Sequence, residues 1–418
     1  MKDIESPRLT KGLDYYKALM AQVEFERHPE AIVTFELMNR GSNKLSEYVS
    51  PEELRDRLDG LRDGWGPDEI AYLASLNHQD GNAVFSKEYL DFLMDNVLPE
   101  VEISLNDSGE LAVKTTGPWP LVTFWETVIM SEINEIYFAN KLAAEGSSLD
   151  ELYEQGDRNL SEKIARLQQR PDIKLSDFGT RRRFSYGWQK HVTERLVSEL
   201  PDNFLGTSNI YLAYEFGVSP IGTSAHEMMM VYAGLEDEVG NDPLDGQDKF
   251  LRDWRGVYGD NLSIALTDTF TTDFFFADLA PDQIRDIKGY RHDSGDPFSF
   301  GDRLIAFLRA NGVDPMTRTI VFSDNLDIDK IFELADYFKD KINFVFGWGT
   351  TLMNDLGVRP NNFVMKATNV NGIDTVKLSD AAGKHMGPTE KVEQYERNVG
   401  IRVGMAAVNS VELEMAYA

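Results

Sequence analysis

From about residue 205 onward, short apolar segments alternate with longer helical ones, and this alternation limits the possible folds more than any other feature of the sequence. Residues 218–222 (VSPIG), 262–267 (LSIALT), 287–291 (IKGYR), 318–323 (RTIVFS) and 342–347 (INFVFG) read as strands. Helical patterns such as 300–312 and 327–340 lie between them. Strands separated by helices must run parallel with right-handed crossovers, so the class is α/β. Repetition to this number favours a β/α barrel over an open sheet.

The residues just past each strand sharpen the reading. In order they are TSAHE, DTF, HDSGD, DNLD and WGTT, which bring His226, Asp268, Arg291, Asp293 and Asp324 to strand ends. In a β/α barrel those loops share the face that carries the active site. A single such loop would be a turn or a helix cap, but five in succession point to a site.

Composition decides which ligands such a face can hold. A formal net charge of −28 argues against a nucleic-acid partner, which needs a basic footprint. An anionic small ligand would need a local positive well, and the densest basic stretch is TRRRFSYGWQK, with Arg181, Arg182 and Arg183. For the triplet alone, a solvated turn is the plainer expectation. The chain has no cysteine and six histidines, none in HxH or HExxH spacing, so thiolate zinc sites and histidine-rich metal hydrolases are disfavoured. No apolar run approaches the ~20 residues needed to cross a bilayer, and the first residues lack the apolar core of a signal peptide. No membrane partner and a cytoplasmic location are therefore expected.

Two loops suit phosphate and ribose. In 289–304, Asp293-Ser294-Gly295-Asp296 follows a strand: the carboxylates suit diols or hydrated Mg²⁺, Arg291 suits a phosphate or carboxylate, and Asp296 before Pro297 reads as a helix N-cap. In 345–357, Gly347, Gly349, Thr350 and Thr351 offer backbone N–H groups to a phosphate without forming a GxxxxGK[ST] loop. Residues 205–217 read as a helix capped by Thr207 or Ser208 and closed by Gly217. The first 135 residues mix strand-like 31–38, helical 50–61 and a strand pair at 101–116 turning at Asn106 to Gly109, before a long helix at 120–144 expected to cross between domains.

Taken together, DYYK near the start, DFGTRRR, GTSN, GTSAHE, HDSGDP and FGWGT resemble, in content and order, the nicotinate phosphoribosyltransferases, from about Asp14 to Lys384. The resemblance implies an irregular β/α barrel with an N-terminal α/β sandwich-like domain, divided as 1–135, 136–371 and a C-terminal extension 372–418 packing on the N-terminal domain. It also implies a homodimer with shared active sites. The implied reaction joins nicotinate to phosphoribosyl pyrophosphate, giving nicotinate mononucleotide and pyrophosphate for NAD salvage, with ATP as co-substrate. Mg²⁺ would be held through substrate phosphates near Asp293 without direct protein ligands.

Residue by residue, the resemblance makes His226 the histidine phosphorylated from ATP, with Asp268, Arg291 and Asp293 around ribose, phosphates and metal. Phe178 stacks on the pyridine, and Tyr16 of a second subunit covers its other face. Arg181 lies near the pyridine substituent, Ser208 stands where nicotinamide-using relatives carry an aspartate, and Gly349 and Thr350 hold the 5′-phosphate. Arg40 reaches the pyrophosphate, and Lys377 and Lys384 face ATP or pyrophosphate, although solvated lysines are the plainer expectation. The alternatives are a nicotinamide phosphoribosyltransferase, or a non-catalytic nucleotide-binding barrel, which a lost His226 or broken DSGD would have favoured. A quinolinate enzyme would need a dicarboxylate-binding motif set that is absent.

Overall fold

The computed structural model describes residues 8–381 and 384–417, those after 406 by their backbone alone. It divides into two compact units: Met1–Gly222 with Leu326–Ile328 and Phe346–Lys366, and Thr223–Asn325 with Asp329–Val345 and Ala367–Ala418.

The first unit contains an antiparallel group, β1 (Ile32–Asn39), β2 (Val101–Leu105) and β3 (Leu111–Pro118), with β3 in the middle. Side chains along β3 alternate between buried and less buried, so one face meets the core. The β2–β3 turn closes as its residues predict: Asn106 Oδ1 accepts from the Ser108 and Glu110 amides, and Gly109 takes φ +73°. The helix Trp125–Glu145 is buried along most of its length and ends on left-handed Gly146. It lies wholly within the first unit, where the sequence suggested a crossing between domains.

Six parallel strands follow: β4 (Leu175–Asp177), β5 (Phe204–Thr207), β6 (Ile264–Leu266), β7 (Gly289–His292), β8 (Thr319–Phe322) and β9 (Asn343–Trp348). In the first unit β4 pairs with β5 and with the end of β9. In the second, β7 pairs with β6 and β8, each neighbour in parallel register. Four expected strands are present. The fifth, 218–222, is reduced to a single bridge between Thr207 and Pro220, because proline has no N–H to extend a ladder. β4 and β5 were not read from sequence, since three or four residues carry no usable period.

Finally come β10 (Phe363–Val370) and β11 (Ile373–Asp374), and the helix Thr389–Tyr417. The compact units do not follow the boundaries 135/136 and 371/372, because the chain returns to the first unit for 326–328 and 346–366. The segment 372–418 was expected against the N-terminal domain. It groups with the second unit, within which Arg402 pairs with Asp242, Asp245 and Asp278, and Lys391 with Asp237.

Candidate active site

In the second unit, three strand ends build one charged cluster. The chain leaves the Ser224 region into the helix His226–Glu238, so His226 sits at a helix N-terminus and is buried. Its Nδ1 lies 3.0 Å from Thr269 Oγ1, its Nε2 3.1 Å from Asp293 Oδ2 and 3.7 Å from Asp268 Oδ1. Arg291, at the end of β7, seats its whole fork. It donates from Nη2 to Asp293 Oδ1 at 2.8 Å, from Nε to Ser323 Oγ at 2.9 Å and from Nη1 to the Ser224 carbonyl at 3.3 Å.

Burial dominates the protonation of His226 and, with Lys377 adding to it, lowers its pKa to about 4, so the imidazole is neutral at pH 7. Burial alone would raise Asp293, yet Arg291 and the His226 contact hold it well below the usual carboxylate range. Asp268 is lowered in the same way, by His226 and Lys377 against its own burial. The neutral imidazole thus stands beside two carboxylates, its Nε2 toward Asp293 and its Nδ1 toward Thr269.

His226, Asp268 and Asp293 each offer a donor atom within 4.8 Å of the others, the candidate cation site among the described residues. Asp268 Oδ1 is buried and takes no hydrogen bond from the described residues. Two hard carboxylate oxygens fit Mg²⁺, and the sequence reading had assigned no direct ligand. The loop holding Asp268 is strained: Thr271, a β-branched residue, has φ +83° while its hydroxyl caps the helix Thr272–Asp278.

A second group of residues occupies the first unit. Phe178 follows β4, and its ring lies flat on the strand at Gly347, where a Cβ would fall 2.4 Å from two ring carbons. Asp177 fixes this corner, accepting from the Gly179 amide at 2.7 Å, Gln189 Nε2 at 2.8 Å and Thr207 Oγ1 at 2.7 Å. Arg181, in the turn Thr180–Arg182, places its guanidinium 5.7 Å from the Tyr16 ring centroid, with Glu126 at 3.4 Å and Asp14 at 3.6 Å. Lys17 and Lys366 also converge on Glu126, and together these cations hold its carboxyl far below the usual range despite burial. Arg183 is almost fully buried, so the basic triplet is not the solvated turn that composition favoured.

Ser208 lies beside this group and donates to Asp14 Oδ1 at 2.6 Å. Asp14 was not singled out from the sequence, because nothing in DYYK signals that its carboxylate turns toward residue 208. The helix cap falls on Asn209, one residue past the expected pair, since Ser208 and Thr207 spend their hydroxyls on Asp14 and Asp177. Tyr16 is buried within the same chain's first unit. Gly349 and Thr350 open the helix Thr350–Met353 in that unit. Arg40 is exposed and forms no side-chain bond with the described residues. Lys377 is buried in the second unit against Asp268, while Lys384 pairs with Asp324. Asp296 caps Pro297–Ala310 as its sequence predicts.

A buried histidine among carboxylates and a seated arginine, on parallel strands followed by helices, is the arrangement the second unit presents. The model of the nicotinate phosphoribosyltransferase (NAPRTase) family matches residues 173–400, and that of the family's N-terminal domain matches residues 13–134. The chain belongs to the nicotinate phosphoribosyltransferase family. It is similar to the nicotinate phosphoribosyltransferase of Vibrio cholerae, at 29% identity and a TM-score of 0.85 over 99% of this chain and 98% of that one. It is also similar to that of Porphyromonas gingivalis, at 28% identity and a TM-score of 0.84 over 94% and 99%. No helix among the described residues is long and apolar enough to cross a membrane.

Proposed function

We propose that this protein transfers the phosphoribosyl group of phosphoribosyl pyrophosphate to nicotinate, yielding nicotinate mononucleotide and pyrophosphate in NAD salvage, and that ATP drives the reaction through phosphorylation of His226. The observation that carries the reading is the neutral, buried His226 facing Asp293 and Asp268. An unprotonated imidazole nitrogen is a capable phosphoryl acceptor. Mg²⁺, for which Asp268 and Asp293 offer oxygens, would supply charge to balance the phosphates when bound.

Pyridine binding is assigned to Phe178, Tyr16, Arg181 and Ser208. A flat aromatic ring against Phe178 suits offset stacking, and the Arg181 guanidinium suits a carboxylate. Gly349 and Thr350 are assigned to the 5′-phosphate, Arg291 to the phosphates and Arg40 to the pyrophosphate. Displacement at ribose C1 needs no strong base, because the pyridine nitrogen already carries its lone pair. Positioning and charge stabilisation are the protein's part. A cytoplasmic homodimer is the working assembly.

Asp14 gives a second reading a foothold. With the Ser208 hydrogen committed to Asp14, the Ser208 oxygen offers a lone pair that an amide NH₂ could use. The test is product formation from nicotinate and from nicotinamide, each with and without ATP. Nicotinate used faster, and stimulated by ATP, supports the reading; nicotinamide used faster would replace the substrate, and no product from either would overturn it.

A further inference from the structure

The second unit holds a cavity of about 400 Å³ between β6 and the helices Asp245–Tyr258 and Pro281–Asp286, and none of His226, Asp268, Arg291 or Asp293 lines it. That volume falls within the range of small-molecule sites. Phe250, Leu251, Trp254, Leu262, Ile264 and Ile287 form an apolar wall. The Trp254 indole is fixed in that wall. Its Nε1 donates to the Leu262 carbonyl at 2.8 Å, and its ring centroid lies 5.8 Å from Phe250 and 4.8 Å from Tyr258.

The charges of the lining cancel. Arg252 pairs with Asp282 at 3.2 Å and with Asp248 at 2.9 Å, and Arg255 pairs with Asp286 and, at 3.4 Å, with Asp260. Two other polar side chains of the lining are also committed: Ser263 Oγ donates to the Asp286 carbonyl at 2.8 Å, and Gln283 Nε2 to Asp248 Oδ1 at 2.8 Å. Each cation is already paired, so the wall suits an uncharged molecule and not a phosphate or nucleotide.

One polar feature is left open. β6 is the last strand of its sheet, with β7 as its neighbour. The Ser263 carbonyl accepts from the Gly289 amide at 3.0 Å, and backbone groups alternate in direction along a strand, so those of Ile264 turn to the opposite edge. No strand among the described residues meets them there. An open strand edge offers a donor and an acceptor to a ligand.

We propose that this cavity is a second small-molecule site, and that its ligand is an uncharged, flat molecule of two or three fused rings carrying an amide. The rings stack against Trp254, and the amide meets the Ile264 edge. The proposal is independent of the reaction proposed above, because it concerns binding alone.

The test is calorimetric titration of the full chain with quinolin-2-one, and with naphthalene, which has the same shape and no amide. Wild type should bind one quinolin-2-one per chain with a Kd of about 100 µM or tighter. Naphthalene should bind about tenfold more weakly, as for one lost hydrogen bond. Leu251→Trp and Leu262→Trp enlarge half-buried side chains of the lining and should weaken quinolin-2-one at least tenfold while melting as wild type does. Excess nicotinate should leave the wild-type Kd unchanged. A crystal structure of the wild-type complex locates the probe whether or not the variants fold. No saturable binding, a probe found outside the cavity, displacement by nicotinate, or undiminished binding in natively melting variants would overturn the site. Equal binding of naphthalene would overturn the part given to the Ile264 edge.

Discussion

The corner around Phe178 and the cluster around His226 are built by opposite rules. Around Phe178, each polar group of Asp177 is met by a donor, and glycine leaves the space the aromatic ring fills. Around His226, a buried carboxylate oxygen takes no hydrogen bond from the described residues, and Thr271 and Ser379 hold strained backbones. The first corner has its Asp177 carboxylate fully hydrogen-bonded, and Phe178 offers a face that suits a flat ring. The second holds the ionised Asp268 and Asp293 beside Arg291 and Lys377, the charged setting in which phosphoryl transfer is proposed.

The sharpest way to break the contrast is Asp293→Asn. It removes the partner of a deeply seated guanidinium and the carboxylate facing His226. Turnover should fall about 10³-fold while pyridine binding by equilibrium titration changes little.

Asp177 offers a pH test on the Phe178 side. Burial pushes its pKa up from 3.8 to about 6 in spite of the three hydrogen bonds it accepts. The folded state then binds the proton more tightly than the unfolded state. Its contribution therefore favours folding below pH 4 and is lost as the pH rises to 6, by roughly 3 kcal/mol. Urea titrations at pH 4 and pH 7 should show wild type losing that much more than Asp177→Asn over the interval. An equal change in both would show that the carboxyl is ordinary.

Gly347→Ala should cost about 1–3 kcal/mol, because the new methyl must displace the Phe178 ring. It should raise the nicotinate KM at least tenfold and leave His226 labelling by ATP intact. The smallest effect is expected at Thr271→Gly. Relieving φ +83° should stabilise the fold by about 1 kcal/mol in thermal melts, since glycine at an N-cap loses only a few tenths.

The two regions were also unequally legible in the sequence. The β6–β9 strands carry enough apolar residues to be read, and Asp268, Arg291 and Asp293 at their ends meet His226, whose own expected strand is only a bridge, in one cluster. β4 and β5 are too short to show a period, so Phe178 was reachable only through the family resemblance, while Ser208 read as a helix cap. Asp14 and Lys377 were harder still. Asp14 reads as a helix start and Lys377 as a surface lysine, and only long-range contacts bring each to its partner. The two compact units escaped a linear reading for the same reason, because the chain passes between them more than once.

The central claim is that His226 of the second region accepts a phosphoryl group from ATP. Incubation with γ-labelled ATP followed by peptide mass spectrometry tests it directly. The account predicts acid-labile phosphate on His226, absent from His226→Asn. Label confined to other residues, or none in the wild type, would contradict it.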